Sequence, residues 1–308
     1  MDGPARFVER EQCITCRSSR LGVVVEGGYD DEPLHGFLAR DPWGASPLPH
    51  LAGARWKLVE CRDCDSRFHG TILDPEWRAH CLKVWMSGDA IETFNEDAGA
   101  HGFAANFARA AAWTGHVLSI EAMTRDRGER APRLLDFGCG AGEFLSHAAL
   151  FGFGAYGLDA SPSRRAVAGR SQVLIAASFD ELPGELRGTL DAVSLFEVLE
   201  HLDDPRSILE ELRRWVRPGG LLVLETPDAG HVSAIRTMDD YRAIHPLDHI
   251  NAFDRKTLTA IAERTGFKAV RRHYAYTSSS LAQSVRREAR RVLDRVRKPS
   301  TQLYFRAA

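Results

Sequence analysis

Leu134-Leu135-Asp136-Phe137-Gly138-Cys139-Gly140-Ala141-Gly142-Glu143-Phe144-Leu145 runs from a short apolar stretch into a loop with three glycines, then into an amphipathic helix. Glycines let the backbone turn tightly and let a ligand approach it closely. Downstream, short apolar runs alternate with helical patterns. Strands are expected over residues 133–137, 155–158, 173–176, 191–196 and 221–225. Helices begin behind Ser161-Pro162, Asp204-Pro205 and Asp254, each with a capping side chain before its first turn. Further strands are expected near residues 268–274 and 302–305. Repeated βα units imply an α/β fold with a mostly parallel, doubly wound, Rossmann-like sheet. Ligands of such sheets bind beyond the strand carboxyl ends, at the switch point.

The loop selects among ligands. A dinucleotide fingerprint starting at Gly138 needs Gly or Ala at position 143, and this chain has Glu143. A carboxylate at a helix N-terminus repels a pyrophosphate that would use the same positive dipole end. The acidic loop therefore points to a cationic ligand, and S-adenosyl-L-methionine has a sulfonium, an ammonium and no phosphate. Asp159 ends the second strand, where an acid accepts hydrogen bonds from ribose hydroxyls. A nicotinamide-dependent oxidoreductase or epimerase remains the alternative at this point.

Six motifs together carry a resemblance: LLDFGCGAGEFL (134–145), YGLDAS (156–161), FDELP (179–183), FEVLEHLDDP (196–205), RPGGLLVLETPD (217–228) and HPLDHINAFDRKTLTAIAERTGF (245–267). Their succession resembles class I S-adenosylmethionine-dependent methyltransferases. That resemblance implies a seven-stranded sheet whose last strand, at 302–305, is antiparallel. It implies that Asp136, Gly138, Gly140 and Gly142 hold the methionine end of the cofactor and Asp159 its ribose. Ser178 and Phe179 would flank the adenine, and Phe196 and Glu197 line the floor. Many members carry Asp where this chain has Ser178, so the adenine contacts depart from the common pattern.

The N-terminal part reads differently. Cys13-Ile14-Thr15-Cys16 and Cys61-Arg62-Asp63-Cys64 are two C-x-x-C pairs. Two such knuckles complete a closed tetrahedral thiolate site for a structural zinc ion. The 44 residues between them are tolerable, because loop closure grows slowly with length. Valines 23–25 and Trp56, Leu58 and Val59 read as short strands of a zinc ribbon, while His69, His80 and Cys81 read as ordinary packing residues. An N-terminal zinc ribbon before this domain also resembles bacterial small-molecule methyltransferases, sugar methyltransferases among them. The expected organisation is a zinc ribbon with a long insertion over 1–75, a helical linker or cap over 76–130 and the methyltransferase domain over 131–308.

Forty Lys and Arg against 42 Asp and Glu leave a net charge of −2. That balance lacks the global basic character of most nucleic-acid binders. A small-molecule acceptor is expected, with RNA kept open by the ribbon and by a basic amphipathic segment at 281–298. A non-enzymatic ribbon adaptor is the third class. The charged start MDGPARFVEREQ and the short apolar runs fit neither a signal peptide nor a membrane span, so a cytoplasmic protein with reduced thiols is expected. Oligomeric state is not legible.

Methyl transfer to oxygen or carbon requires a base, and histidine suits that task near neutrality. His249 follows Asp248 in the connection after the fifth strand, where an acid-histidine pair also resembles one in zinc-ribbon sugar methyltransferases. His249, oriented by Asp248, is the expected general base, with His245 or Tyr241 as other orienting residues. His201, after the fourth strand, is a further catalytic candidate that also fits a loop-ordering role.

Overall fold

The computed structural model describes residues 3–41, 43–87, 102–168, 173–230, 232, 237–273 and 300–308, with positions 90, 93, 285 and 289. Two compact units emerge. One gathers Met1–Phe107, Leu199–Arg206 and Ala229–Arg264; the other gathers Ala108–Val198, Ser207–Asp228 and Thr265–Ala308. These units interleave along the chain, whereas the sequence reading has three consecutive blocks. Residues 229–264 join the first unit because they carry β11 and part of its core, and 199–206 joins it through hydrogen bonds from Arg78 and Asn251.

In the first unit, strands β1 (Phe7–Glu9) and β5 (Thr71–Leu73) form an antiparallel ribbon. Strands β2 (Leu21–Gly28), β3 (Arg55–Cys61), β4 (Arg67–His69) and β11 (Asn251–Ala252) form a second sheet in the order β11-β4-β3-β2. The long insertion is therefore bracketed by a hairpin-like pair, β2 against β3, that brings the two C-x-x-C motifs together: Leu21 lies opposite Cys61. Trp56, Leu58, Trp77, Cys81 and Trp85 pack with Tyr241, Ile244 and Leu247 in one buried cluster. Asp74 caps the helix Pro75–His80 through the Trp77 N–H at 2.8 Å, which aims Trp77 into that cluster. Cys81 is fully buried there, as a packing residue.

In the second unit, β6 (Arg133–Phe137), β7 (Gly154–Leu158), β8 (Leu174–Ala176), β9 (Leu190–Phe196), β10 (Val216–Pro227), β12 (Phe267–Val270) and β13 (Ser300–Ala307) form one sheet. Its order is β12-β13-β10-β9-β6-β7-β8. Strands β6 to β10 run parallel and β13 inserts antiparallel between β10 and β12. The seven-strand expectation and the antiparallel last strand are both present. Leu134, Leu135, Ala192, Val193 and Leu221–Leu224 are buried, as strands covered on both faces require. Strand β10 starts earlier than expected. Arg217-Pro218-Gly219-Gly220 forms an irregularity within it, with Gly219 at φ 73°, and the register with β9 shifts across it. Chain order reverses at β6, flanked by β7 and β9, so the switch point lies at the carboxyl ends of β6 and β9.

The basic segment 281–298 lies outside the described residues except for Val285 and Ala289. Among the described residues, no helix is long and apolar enough to cross a membrane.

Candidate active site

The glycine loop leaves β6 at the switch point. Gly138, Gly140 and Gly142 all adopt positive φ, at 74°, 58° and 77°. At Gly138 a side chain is excluded twice over. The left-handed conformation disfavours one, and a Cβ would lie 2.5 Å from Val198 Cγ2. Gly142 is the left-handed N-cap of the helix Glu143–Leu150. Asp159, at the end of β7, reaches across to the loop. Its Oδ2 accepts the Gly140 N–H and its Oδ1 the Ser161 N–H, each at 2.8 Å. It thereby organises the loop while each oxygen keeps lone-pair capacity for a ligand.

Asp136 is buried, and its Oδ1 accepts a hydrogen bond from Ser194 Oγ of β9 at 2.6 Å. Burial, opposed by Ser194 and reinforced by Asp159, pushes its carboxyl up to about 7. Phe179 is fixed between Phe137 and Trp215, with ring centroids 5.8 Å from each. Ser178 is exposed and extended beside it. Phe196 sits edge-on to Phe144 at 5.0 Å. Glu197 follows it, exposed and left-handed at φ 55°. That conformation is uncommon for a side chain other than glycine and recurs at functional sites.

The catalytic candidates lie in the first unit, and their pairing differs from the expected one. Asp248 Oδ1 lies 2.8 Å from His201 Nδ1, whereas Asp248 Oδ2 is 3.6 Å from His249 Nε2. Asp248 therefore orients His201. His249 is oriented instead by the Arg242 carbonyl, 2.6 Å from its Nδ1. That contact places the proton on Nδ1 and leaves the Nε2 lone pair available. The alternative orienting residues are engaged elsewhere: His245 Nε2 pairs with Asp41 at 2.8 Å and Tyr241 is buried in the aromatic core. Burial works against charge on His201, but Asp248 by charge and hydrogen bond, with Glu200 behind, pushes it up to about 9. Burial would raise Asp248, yet His201 holds it far below the usual carboxylate range. Burial, outweighing Asp248, brings His249 down to about 4.

Sequence reasoning missed the residues that hold this cluster. Arg78 donates to the carbonyls of His201 (2.8 Å) and Leu247 (2.6 Å). Asn251 Nδ2 donates to the carbonyls of Leu199 (2.8 Å) and Leu202 (2.7 Å). Both side chains tie the 199–202 segment to the 247–251 segment. Neither has a local sequence signal, since their partners lie 49 to 169 positions away.

The four cysteines of the C-x-x-C pairs converge, all Sγ atoms lying within 4.8 Å of one another. Cys13 to Cys64 and Cys16 to Cys61 are each 3.5 Å apart. That is far beyond a disulfide bond of about 2.05 Å and near the roughly 3.8 Å that tetrahedral Zn–S bonds of about 2.3 Å imply. The knuckles repeat one another. Cys13 and Cys61 N–H donate to Ser18 and Ser66 carbonyls, both at 2.9 Å, and Arg17 and Asp65 N–H donate back to Cys13 and Cys61. Arg17 and Asp65 share the left-handed conformation. The Thr15 and Asp63 amides point at the Cys13 and Cys61 sulfurs, at 3.3 and 3.4 Å. The donor set fits a soft, thiolate-preferring ion.

Residues 103–272, more than half of the chain, match a family model described as a methyltransferase domain. The chain belongs to this family. Among curated proteins, this chain is 35% identical over 101 residues to a ubiquinone biosynthesis O-methyltransferase from Dechloromonas aromatica, covering 30% of this chain and 44% of that protein. A protein of the same name from Pseudomonas aeruginosa is 32% identical over 116 residues, covering 35% and 50%. The chain thus spans half or less of the length of these curated relatives. Among solved structures, an S-adenosylmethionine-dependent methyltransferase from Mesorhizobium loti aligns at 21% identity with a TM-score of 0.40, covering 61% of this chain and 97% of that one.

Proposed function

We propose that this methyltransferase-domain protein transfers a methyl group from S-adenosyl-L-methionine to a small-molecule acceptor, and that its first unit carries a structural zinc ion. The observation that carries the reading is the acidic glycine loop at the switch point of a chain in this family. When bound, the cofactor supplies an electrophilic methyl group on sulfonium sulfur. Asp136 and the backbone of Gly138, Gly140 and Gly142 hold its methionine end. Asp159 accepts from the ribose hydroxyls with the lone pairs its amide donors leave. Ser178 and Phe179 flank the adenine, and Phe196 and Glu197 border the floor. Cys13, Cys16, Cys61 and Cys64 hold the zinc ion, and four thiolates close its shell, so the ion is structural.

On the acceptor side, His201, Asp248 and His249 form the group that handles the acceptor's proton, and His249 Nε2 supplies its lone pair. The small-molecule reading draws support from the net charge of −2 and from relatives named for ubiquinone biosynthesis.

Calorimetry with S-adenosylmethionine and its demethylated product tests the cofactor. Binding is expected, weakened at least tenfold by Asp159→Ala. Tighter binding of NAD selects an oxidoreductase or epimerase, and binding of neither selects an adaptor. Filter binding to RNA at two salt concentrations tests the acceptor class, since a steep salt dependence marks phosphate contacts. Mass spectrometry of metabolites incubated with deuterated cofactor identifies the methylated atom.

A further inference from the structure

We propose that Glu200, His201 and His249 form a binding site for one divalent transition-metal ion, separate from the four-cysteine site. One ligand atom from each residue lies within 4.8 Å of the other two. His201 Nε2 is 3.8 Å from Glu200 Oε1, and the two imidazole rings lie 5.0 Å apart at 64°. Bonds of about 2.0–2.2 Å to a common ion bring such atoms to roughly 3–3.5 Å, a contraction within reach of side-chain rotation.

The surroundings of the three residues resemble a built site rather than a chance cluster. In both histidines Nδ1 is engaged, by the Asp248 carboxylate in His201 and by the Arg242 carbonyl in His249. Each ring therefore presents Nε2. Metal-ligating histidines are characteristically oriented in this way, by a carboxylate or carbonyl on the other nitrogen. Arg78 and Asn251 hydrogen-bond to the backbone carbonyls of the two segments that supply the ligands and so hold those segments together.

The donor set names the class of ion. Two imidazoles and one carboxylate suit Zn²⁺, Fe²⁺, Mn²⁺ or Co²⁺; Ca²⁺ and Mg²⁺ prefer oxygen shells. Glu200 is buried, while the His201 and His249 side chains are 29% and 21% exposed, so solvent reaches the two imidazoles. Three protein ligands with an open position are the pattern of catalytic rather than structural metal sites. An ion there lowers the proton affinity of an oxygen at its open position. This deepens the assignment of the cluster to the acceptor's proton and rests on that assignment for its role, though not for its existence. With the ion present, His249 Nε2 is a ligand and its lone pair no longer accepts the proton; it is the ion that eases the proton's loss.

The test is a Co²⁺ titration of the full chain after chelation, followed by absorption. Thiolate-bound Co²⁺ gives intense sulfur charge-transfer bands; Co²⁺ bound by nitrogen and oxygen gives weak d–d bands alone. Two equivalents are expected, the second without further charge-transfer intensity. Glu200→Gln and His249→Ala should each weaken the second equivalent at least tenfold, and Asp248→Asn by about 10- to 100-fold. The thiolate bands report in every variant that the cysteine site is still assembled. A wild-type chain that takes up only the thiolate-bound ion overturns the proposal. So does a second equivalent whose affinity is unchanged in both Glu200→Gln and His249→Ala. Cofactor calorimetry on the same samples reads the methyl-transfer assignment separately, so either reading can fail alone.

Discussion

The glycine loop and the histidine cluster are two ways of making a site. The loop is a backbone device. Its glycines lie within five consecutive positions, its conformations are left-handed, and its partner Asp159 arrives on the adjacent parallel strand. The cluster is a side-chain device assembled from segments far apart in the chain, with Arg78 and Asn251 as clamps. A backbone device tolerates almost no change at the glycine that is crowded and little ambiguity in its sequence. A side-chain device tolerates conservative changes at each member, and its pairings follow from tertiary placement. Asp248 illustrates this: it is adjacent to His249 in sequence and pairs with His201 in space.

The largest effect expected anywhere in the molecule is at neither site. Cys61→Ser with Cys64→Ser removes half of the proposed zinc shell, and structural zinc contributes on the order of 10 kcal/mol to folding in small metal-dependent modules. Metal analysis and circular dichroism should show loss of stoichiometric zinc together with unfolding of the first unit. A zinc-free protein with unchanged structure breaks the assignment. Next comes the side-chain device. His249→Ala should lower turnover by about 10² to 10⁴, the usual worth of a group that handles a proton, while cofactor affinity changes no more than a few-fold. Near-normal turnover would make His249 structural.

The backbone device is probed by two glycines with opposite surroundings. Gly138→Ala forces a Cβ against Val198 in a left-handed position, whereas a Cβ at Gly140 meets nothing within 4 Å. Strain and overpacking together cost Gly138→Ala roughly 2–4 kcal/mol, and strain alone costs Gly140→Ala about 1–2 kcal/mol. Denaturant unfolding measures both. Equal effects would mean that contact with Val198 is not what excludes a side chain at Gly138.

These contrasts explain what was legible in the sequence. The succession of strands and helices and the loop followed from periodicity and from local glycine chemistry, because both act over a few residues, while the antiparallel last strand was implied by the resemblance to class I S-adenosylmethionine-dependent methyltransferases. The paired C-x-x-C motifs were legible because each knuckle is local and the two are alike. The clamps, the Asp248–His201 pairing and Ser194 on Asp136 were not, because each joins residues whose proximity is set by sheet register or loop packing. Leu190–Phe196 beside Arg133–Phe137 places Ser194 opposite Asp136 only once the register is known. The interleaved units were missed for the same reason: β11 is two residues long and joins β4 from across the chain.

The last effect, spread over pH, tests the buried acid of the loop. Asp136 is pushed up to about 7, first by burial, with Asp159 adding to it and Ser194 opposing. A carboxyl whose folded value exceeds its unfolded value of about 3.9 favours the fold at low pH. That contribution is complete below about pH 4, is lost as pH rises towards 7, and stays lost above it. One proton sets the steepness, at most about 1.4 kcal/mol per pH unit. Asp136→Asn keeps the size and the acceptor for Ser194 but cannot ionise. Cofactor-free Asp136→Asn should therefore lose less stability than wild type between pH 5 and 7.5, with the two curves running parallel above that range. Urea unfolding at several pH values gives the difference directly. If the gap between the curves is flat across that window, Asp136 is already ionised throughout it, and the loop holds its negative charge ready before any ligand binds.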